Sequence, residues 1–210
     1  MRQTQSVLIY SLLMAGVVLL SNILVQYPVS GTLYGISLAD LLTWGAFTYP
    51  LAFLVNDLTN RQFGPSAARK VVIAGFVVGV AFSFYASVPR IAIASGTAFL
   101  VGQLLDISVF NRLRRQTWWK APLAGSLFGS VLDTVLFFSI SFAAIFAFIG
   151  PNDDFALGTA PLLGVFALEA PRWISWALGD LSVKLAFSLI MLLPYAALIS
   201  WLRPMRTVNG

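Results

Sequence analysis

The chain contains no cysteine and no histidine among its 210 residues. Without cysteine it has no disulfide framework, thiolate metal site or cysteine nucleophile, and without histidine it lacks the commonest catalytic base and metal ligand. No segment has the pattern GxxxxGK[ST] that cradles nucleotide phosphates in ATP-hydrolysing proteins. The sequence therefore predicts no metal site, no bound cofactor and no enzyme.

Charge is also scarce. Only 10% of the residues are charged, whereas 59% are hydrophobic, and the mean hydropathy is +0.86. An ordinary soluble domain carries about 25% charged residues. Apolar runs of about 20 residues recur along the chain, and each is long enough to cross the hydrocarbon core of a bilayer as a helix. We therefore predict an all-α integral membrane protein whose surroundings are the lipid bilayer.

The apolar runs predict six transmembrane helices in a single domain over residues 1–210. Between them the chain turns at segments that are richer in charge, proline and glycine. The predicted helices cover residues 6–26, 36–58, 69–88, 90–110, 122–149 and 173–203.

The distribution of basic residues predicts the orientation of these helices. Most of the lysines and arginines lie at one end of the predicted bundle: Arg2, Arg61, Arg69, Lys70, Arg112, Arg114, Arg115, Lys120, Arg203 and Arg206. The opposite loops hold only Arg90 and Arg172, together with Asp153, Asp154 and Glu169. Under the positive-inside rule both termini are cytoplasmic. The net charge of +5 is thus explained by topology, and we expect no nucleic acid partner.

Two further features are assigned to the membrane boundary. The tryptophans are expected to anchor the helices as aromatic belts, with Trp118, Trp119 and Trp201 at the inner interface and Trp173 and Trp176 at the outer one. The long connection 150–171 is too apolar for a fully solvated loop. We predict a short interfacial or re-entrant helix over the outer mouth, with a poorly ordered loop as the alternative.

Five charged residues fall inside predicted spans: Asp57, Asp106, Asp133, Asp180 and Lys184. Each costs about 2.5–3.5 kcal/mol at a helix centre and therefore needs a partner or a polar cavity. Asp133 and Lys184 are both predicted near the midplane, and Gln103 reaches a similar depth. These three side chains are a candidate binding site. The alternative for Lys184 is a structural pair with Asp180, four residues earlier on the same helical face.

Small residues form two stripes at helical spacing. Gly125 and Gly129 precede Asp133 at four-residue intervals, and Gly75 and Gly79 form a similar pair in the third span. Such stripes let another helix backbone approach closely. Close packing within the chain is favoured over dimerisation, although we also expect a homodimer on this basis.

A second polar group lies near the cytoplasmic ends of the second and fourth spans. Asp57 and Asp106 stand there, and the second span also carries Asn56 and Asn60. We expect these four residues to form an inward polar path or gate. The alternative is that the aspartates form interface-level ion pairs with Arg61 and Arg112, which are close in sequence.

Several segments together resemble a known family, the YhhQ-type vitamin uptake transporters, which are regarded as queuosine precursor transporters. The most specific are "GQLLDISVFNRLR" and "LDTVLFF", in this order and at this spacing. The others are "SNILVQYPVS", "TWGAFTYPLAFLVNDLTNRQFGPSAARK", the rest of the segments 90–114 and 118–138, and the spacing from Lys184 to Pro194. The resemblance covers most of the chain except the loop 151–171.

The resemblance implies import of 7-cyano-7-deazaguanine, and of its 7-aminomethyl relative, across the bacterial inner membrane for tRNA modification. The donor edge of such a base suits a carboxylate, which we assign to Asp133, and its carbonyl suits Lys184 or Gln103. Trp44 and Phe47 lie one helical turn apart and are candidates to stack on the ring, with lipid contact as the alternative. Asn22 and Thr134 complete the candidate binding residues.

The family's size and six spans also look similar to the substrate-binding components of energy-coupling-factor transporters. Those components need a separate ATPase module, whereas the resemblance implies a solitary carrier that does not. The alternatives left open are a binding component that needs such a module and a carrier of another heteroaromatic vitamin or purine-like base.

The predicted topology can be tested by labelling introduced cysteines, because the chain has none of its own. A cysteine at Ser66 should resist a membrane-impermeant maleimide in intact cells, since its loop is predicted to face the cytoplasm. A cysteine at Asn152 should react. The reverse pattern would overturn the orientation.

Overall fold

The computed structural model describes residues 2–33 and 36–201, and it is mostly helical. Its longer helices are α1 (Arg2–Leu24), α3 (Pro50–Phe63), α4 (Pro65–Ala86), α5 (Pro89–Leu113), α6 (Lys120–Phe142), α8 (Arg172–Ile190) and α9 (Leu192–Trp201). The short helices are α2 (Gly45–Thr48) and α7 (Asp154–Leu157). The strands are β1 (Thr32–Leu33), β2 (Ile36–Ser37), β3 (Thr159–Pro161) and β4 (Glu169–Pro171). Of the basic residues predicted to be cytoplasmic, Arg203 and Arg206 lie outside the described residues, as does the side chain of Trp201.

Five helical stretches are long and apolar enough to cross a membrane: Thr4–Leu24, Pro65–Ala86, Pro89–Leu113, Lys120–Phe142 and Arg172–Ser200. The all-α membrane class is therefore confirmed. The predicted helix over residues 36–58 is not one of these five stretches, so the count of six spans is not confirmed.

The prediction of a helix over residues 36–58 is wrong for residues 36–44. Residues 36–37 form β2 and residues 38–40 form a 3-10 turn, and helix begins only at Gly45. A second interruption separates α2 from α3, because Pro50 has no N–H to donate and is suited only to the first turn of a helix. Tyr49 lies at this break, and its N–H donates to the carbonyl of Gly45. The Tyr49 side chain reaches α6, where its hydroxyl donates to Asp133 Oδ1.

The connection 150–171 contains the one-turn helix α7, but its apolar part forms a β-hairpin instead of the predicted interfacial or re-entrant helix. After α7, strands β3 and β4 pair in antiparallel register from Thr159 with Pro171 to Pro161 with Glu169. Leu163 and Gly164 have positive φ angles of 54° and 75°, which produce the turn between the strands. The Leu163 N–H donates to the Ser175 hydroxyl of α8 at 2.9 Å and ties the hairpin to the bundle.

Two other predicted helices are interrupted near their ends. The helix predicted to reach residue 149 ends at Phe142, and a 3-10 turn follows over residues 144–146. The last helix breaks at Met191, three residues before Pro194, which lacks the N–H that would donate to the carbonyl four residues earlier. Its predicted end at residue 203 lies outside the described residues.

Both glycine stripes pack against helices of the same chain. Gly129 of α6 and Gly102 of α5 are so close that a Cβ on Gly102 would lie 3.2 Å from the Gly129 carbonyl oxygen. In α4, a Cβ on Gly75 would meet the Met14 side chain of α1, and one on Gly79 would meet Val18. These stripes therefore serve close packing within the chain, and the homodimer stays a prediction that no longer draws support from them.

Arg90, the second residue of α5, fixes the end of α6 at the predicted outer side. Its guanidinium is 3% exposed and donates to the carbonyls of Ile140 and Ala143, at 2.8 and 2.7 Å. It also donates to Gly150, Pro151 and Asn152. A cation here suits the negative end of the α6 helix dipole. Nε and Nη2 each donate to one α6 carbonyl, and the two N–H groups of Nη1 are shared among the other three acceptors.

We predict that Arg90→Met destabilises the protein, because five acceptors lose their donor. The loss should be at least about 1.5–3 kcal/mol, the net value of one hydrogen bond to a charged group. The measurement is the midpoint of thermal aggregation in detergent, followed by size-exclusion chromatography. Arg115→Met is the control, since Arg115 is exposed. Equal midpoints for the two variants would show that the Arg90 contacts contribute nothing.

Candidate functional site

A cavity of about 460 Å³ lies between the helices in the half of the bundle that is predicted to face outward. Sites for small molecules commonly occupy about 300–1,000 Å³. The walls come from α1, α4, α5, α6, α8 and the segment 39–49. The polar and charged lining residues are Ser21, Asn22, Gln26, Asp40, Thr43, Tyr49, Ser83, Ser87, Ser95, Asp133, Asp180 and Lys184.

Lys184 lies at the centre of the charged part of this cavity. Its ammonium contacts Asp133 Oδ2 at 2.7 Å and Asp180 Oδ2 at 2.6 Å. Lys184 and Asp180 are one turn apart on α8, whereas Asp133 comes from α6. The sequence raised both pairings, one with Asp133 across the site and one with Asp180 within the helix, and the structure contains both. The lysine therefore pairs with two carboxylates, and with both of them ionised the group carries one net negative charge.

Hydroxyl groups complete this cluster. The Tyr49 hydroxyl donates to Asp133 Oδ1 at 2.7 Å, and its ring lies 4.8 Å from the Lys184 ammonium. The Thr134 hydroxyl donates to Asp180 Oδ2 at 2.9 Å and accepts weakly from Lys184 at 3.4 Å. Both oxygens of Asp133 are thus occupied. Among the described residues no donor reaches Asp180 Oδ1, and the Asp180 side chain is 17% exposed.

Aromatic side chains form much of the remaining wall. The lining includes Phe76, Phe99, Phe137, Phe138, Phe142 and Trp176. Trp176 of α8 contacts Phe142 edge-to-face with ring centroids 5.5 Å apart, and it stacks on Phe155 at 6.2 Å. Trp176 was expected to be a membrane anchor, but in the structure it belongs to the cavity wall.

The two aromatic residues expected from sequence to stack on a ring are placed differently. Trp44 and Phe47 contact each other with centroids 5.6 Å apart, and Phe47 also packs against Phe187 of α8. Neither is among the described residues that line the cavity. Trp44 is 49% exposed on the outside of the bundle.

Asn22 lines the cavity on its α1 side. Its amide donates to the Val18 carbonyl at 3.1 Å, and its carbonyl oxygen accepts from the Ser83 hydroxyl of α4 at 3.1 Å. Asn22 is therefore held by its own helix and by α4, and it presents a fixed polar edge.

Gln103 does not join Asp133 and Lys184 in the cavity lining. It is fully buried on α5, and neither atom of its side-chain amide has a partner among the described residues. It lies one turn from Asp106, in a second polar cluster in the half of the bundle predicted to face the cytoplasm. This inner cluster consists of Asn56, Asp57, Asn60, Gln103 and Asp106, all at most 2% exposed.

Two asparagines of α3 hold the inner cluster together. Asn56 donates to Asp106 Oδ2 at 2.7 Å and to the Gln103 backbone carbonyl at 3.2 Å. One turn later Asn60 donates to the Ile107 carbonyl at 3.4 Å. The ion pairs with Arg61 and Arg112, which were the alternative prediction for the two aspartates, are not found among the described residues. Instead, the Arg61 guanidinium donates to the backbone carbonyl of Arg114.

Three residues that line the cavity were not predicted from the sequence to bind a ligand. Tyr49 gave no signal beyond its position before Pro50, and Asp40 was not singled out although it lines the cavity. Asp180 was considered only as a structural partner for Lys184. No group of three or more acidic side chains in the described ranges is placed to hold a metal ion.

The sequence profile of the family described as "Putative vitamin uptake transporter" matches residues 43–88 and 81–199. A relative from Escherichia coli strain K12, named "Queuosine precursor transporter", is 36% identical over 204 residues, which cover 87% of this chain and 81% of the relative.

Two further relatives are named "Probable queuosine precursor transporter". The one from Haemophilus influenzae is 44% identical over 149 residues, covering 58% of this chain and 63% of the relative. The one from Bacillus subtilis is 24% identical over 182 residues, covering 73% and 69%. No solved structure matches the chain, so the expected likeness to energy-coupling-factor components stays a prediction. The family resemblance read from the sequence segments is confirmed, and the chain belongs to the vitamin uptake transporter family.

Proposed function

We propose that this transporter is a solitary carrier that imports 7-cyano-7-deazaguanine, and its 7-aminomethyl relative, across the bacterial inner membrane for tRNA modification. The names of its relatives support a queuosine precursor as the substrate class. The observation that carries the proposal is the cavity that contains the Asp133, Lys184 and Asp180 cluster.

The chemistry of this cluster suits the edge of a guanine-like base. That edge presents N1–H and an exocyclic amine as two donors, beside a carbonyl that needs a donor. Asp133 and Asp180 together provide the acceptors, and Lys184 between them provides the donor. Asp180 Oδ1 receives no hydrogen bond within the described ranges, so it is the acceptor most available to a ligand.

The charge of the cavity favours a base over a nucleotide. Its lining holds three acidic residues, Asp40, Asp133 and Asp180, and one basic residue, Lys184. In a low-dielectric site this excess of negative charge repels phosphate groups. A neutral deazaguanine is tolerated, and an aminomethyl substituent carrying a positive charge is attracted.

The aromatic part of the wall suits a flat heteroaromatic ring. Trp176 and Phe142 both line the cavity and contact each other at its side. Stacked or edge-to-face contacts between aromatic rings contribute about 0.5–1.5 kcal/mol beyond the burial of their area. Trp176 is therefore a better candidate for stacking than Trp44 or Phe47, which lie outside the lining.

The polar groups of α3 and α5 are proposed to line the route inward. Asn56, Asp57, Asn60 and Asp106 lie beyond the charged cluster toward the predicted cytoplasmic end, and in this structure they are packed together and fully buried. Release of the base along this route requires α3 and α5 to separate.

A rival proposal is that the protein captures the base but needs a separate ATPase module to move it. We expect the purified protein alone, reconstituted into liposomes, to take up labelled 7-cyano-7-deazaguanine, with guanosine monophosphate excluded by its phosphate. Empty liposomes are the background control. Binding of the base without uptake would support the rival and refute the solitary carrier.

The assignment of the carboxylates predicts different effects for two isosteric variants. Asp180→Asn should weaken binding of the base about ten- to a hundredfold, the equivalent of about 1.5–3 kcal/mol for a charged hydrogen bond. Asp133→Asn should weaken it less, because Asp133 is already occupied by Tyr49 and Lys184. Both variants should fold, since Lys184 keeps one carboxylate partner in each.

Binding can be measured by calorimetry or by the ligand-induced rise in melting temperature. Glu169→Gln is the matched control, because Glu169 is an exposed carboxylate of β4 that does not line the cavity. If Asp133→Asn abolishes binding while Asp180→Asn leaves it unchanged, Asp133 alone reads the base and our assignment of Asp180 is wrong.

A further inference from the structure

The inner cluster contains two carboxylates that lack a cation. Asp57 is 2% exposed and Asp106 is fully buried. The salt bridges formed by the described residues both belong to Lys184, so neither inner carboxylate has a cationic partner within 4.0 Å. Burying an ionised carboxylate without a partner is far more costly than burying its neutral acid.

The hydrogen bonds of this cluster leave a surplus of acceptors. Five acceptor oxygens have no partner among the described residues: Asn56 Oδ1, Asp57 Oδ1, Asn60 Oδ1, Gln103 Oε1 and Asp106 Oδ1. The unpaired groups there that can donate are fewer, namely the Gln103 side-chain nitrogen and the Tyr195 hydroxyl. Ionised carboxylates would add only acceptors to this set, whereas a carboxylic acid contributes an O–H donor. A proton on one of the two aspartates therefore reduces both the buried charge and the number of unpaired acceptors.

We infer that Asp57 and Asp106 form a proton-binding site that couples the movement of the base to the movement of a proton. In the closed packing seen here the pair holds one proton. When the inner half of the bundle opens, water solvates the carboxylates, and the proton leaves to the cytoplasmic side as the acid becomes a carboxylate. The coupling, though not the proton site itself, rests on the proposed function.

The charged and titratable groups around the pair are few. Tyr195 of α9 is 1% exposed and lies near enough to both aspartates, Arg61 and Arg114 for their charges to act on it, and its hydroxyl has no hydrogen-bond partner among the described residues. Tyr10 of α1 donates to Gln62 instead. Arg69 and Lys70 of α4 and Lys120 of α6 are exposed. Asp133, Asp180 and Lys184 belong to the outer cavity, where the lysine partners both carboxylates.

Gln103 and Ser130 supply polar groups between the outer cavity and the inner pair. Ser130 is one turn from Asp133 on α6, and Gln103 is one turn from Asp106 on α5. Both side chains are at most 1% exposed, and their polar atoms have no partner among the described residues. Because the backbones of α5 and α6 touch at Gly102 and Gly129, these two positions lie at neighbouring levels of the bundle.

The proton site can be tested without a substrate by infrared difference spectroscopy, in which spectra of the unlabelled and the ¹³C-aspartate-labelled full-length protein in liposomes are compared. At neutral pH the wild type should show the carbonyl-stretch band of a buried carboxylic acid, and labelling with ¹³C-aspartate should shift it. The band should persist at a shifted frequency in Asp57→Asn or Asp106→Asn, because the remaining carboxyl group is still buried without a cation. It should be lost in the double variant Asp57→Asn/Asp106→Asn and kept unchanged in Asp154→Asn, an exposed carboxylate. If the wild type lacks a band that shifts with the label, the inference is wrong, whether or not the variants fold.

Coupling is tested by uptake of labelled 7-cyano-7-deazaguanine into liposomes that hold the wild type. With one proton per base, an inward gradient of about one pH unit should drive up to about tenfold accumulation, and the external medium should become alkaline as the base enters. In the double variant Asp57→Asn/Asp106→Asn, uptake should no longer respond to the gradient. Uptake by the wild type that ignores pH, or that follows a sodium gradient instead, refutes the coupling. No uptake at all refutes the proposed function, and the infrared result still decides the proton site.

Discussion

The cost of charge in an apolar environment governs the organisation of this bundle. Lys184 can lie in the middle of a helix only because Asp133 and Asp180 accept its hydrogen bonds, and each carboxylate in turn needs that cation. Since the partners come from two helices, the ionic cluster joins α6 to α8. Tyr49 then connects it to the break between α2 and α3. The same contacts that make the charges tolerable also build the polar floor of the cavity.

Close contact between α5 and α6 places both polar clusters on one interface. Gly102 and Gly129 let the backbones touch beside Asp133, and Gly125 makes room for the Asp106 carboxylate. Larger residues at these positions would force the helices apart and change the depth at which each carboxylate lies. The glycines that looked like a dimer motif are thus a means of positioning two aspartates. One has a lysine partner, and the other has none within the described ranges.

Local patterns in the sequence predicted the long helices and marked the charged residues within them. They did not predict which side of each helix faces the cavity, because that depends on the rotation of the helix about its axis. Apolar runs located the long helices, and the rarity of charge in them marked Asp133, Lys184, Asp57 and Asp106. Hydropathy averaged over a window does not show that proline lacks a backbone N–H. The breaks in the helices at Pro50 and before Pro194 were therefore not predicted.

In a membrane protein it is harder to predict which face of a helix is turned toward the cavity than to predict the helix itself. Lipid and an aromatic cavity wall both favour large apolar side chains. Nothing in a single sequence separates Trp44, which is exposed, from Trp176, which lines the cavity. The charged residues escape this ambiguity, since a charge that faces lipid is costly whichever helix carries it. Polar residues in spans therefore predicted the lining of the cavity better than aromatic residues did.

The two helix interfaces beside the inner cluster differ in how readily they can separate. Between α5 and α6 the contact is backbone against backbone at glycines, and opening it would sacrifice packing that water cannot replace. Between α3 and α5 the contact includes the hydrogen bonds of Asn56 and Asn60 and several acceptors that are unpaired in the closed packing. Water can satisfy all of these groups once the helices part. Of these two interfaces, the one between α3 and α5 therefore loses less when it opens.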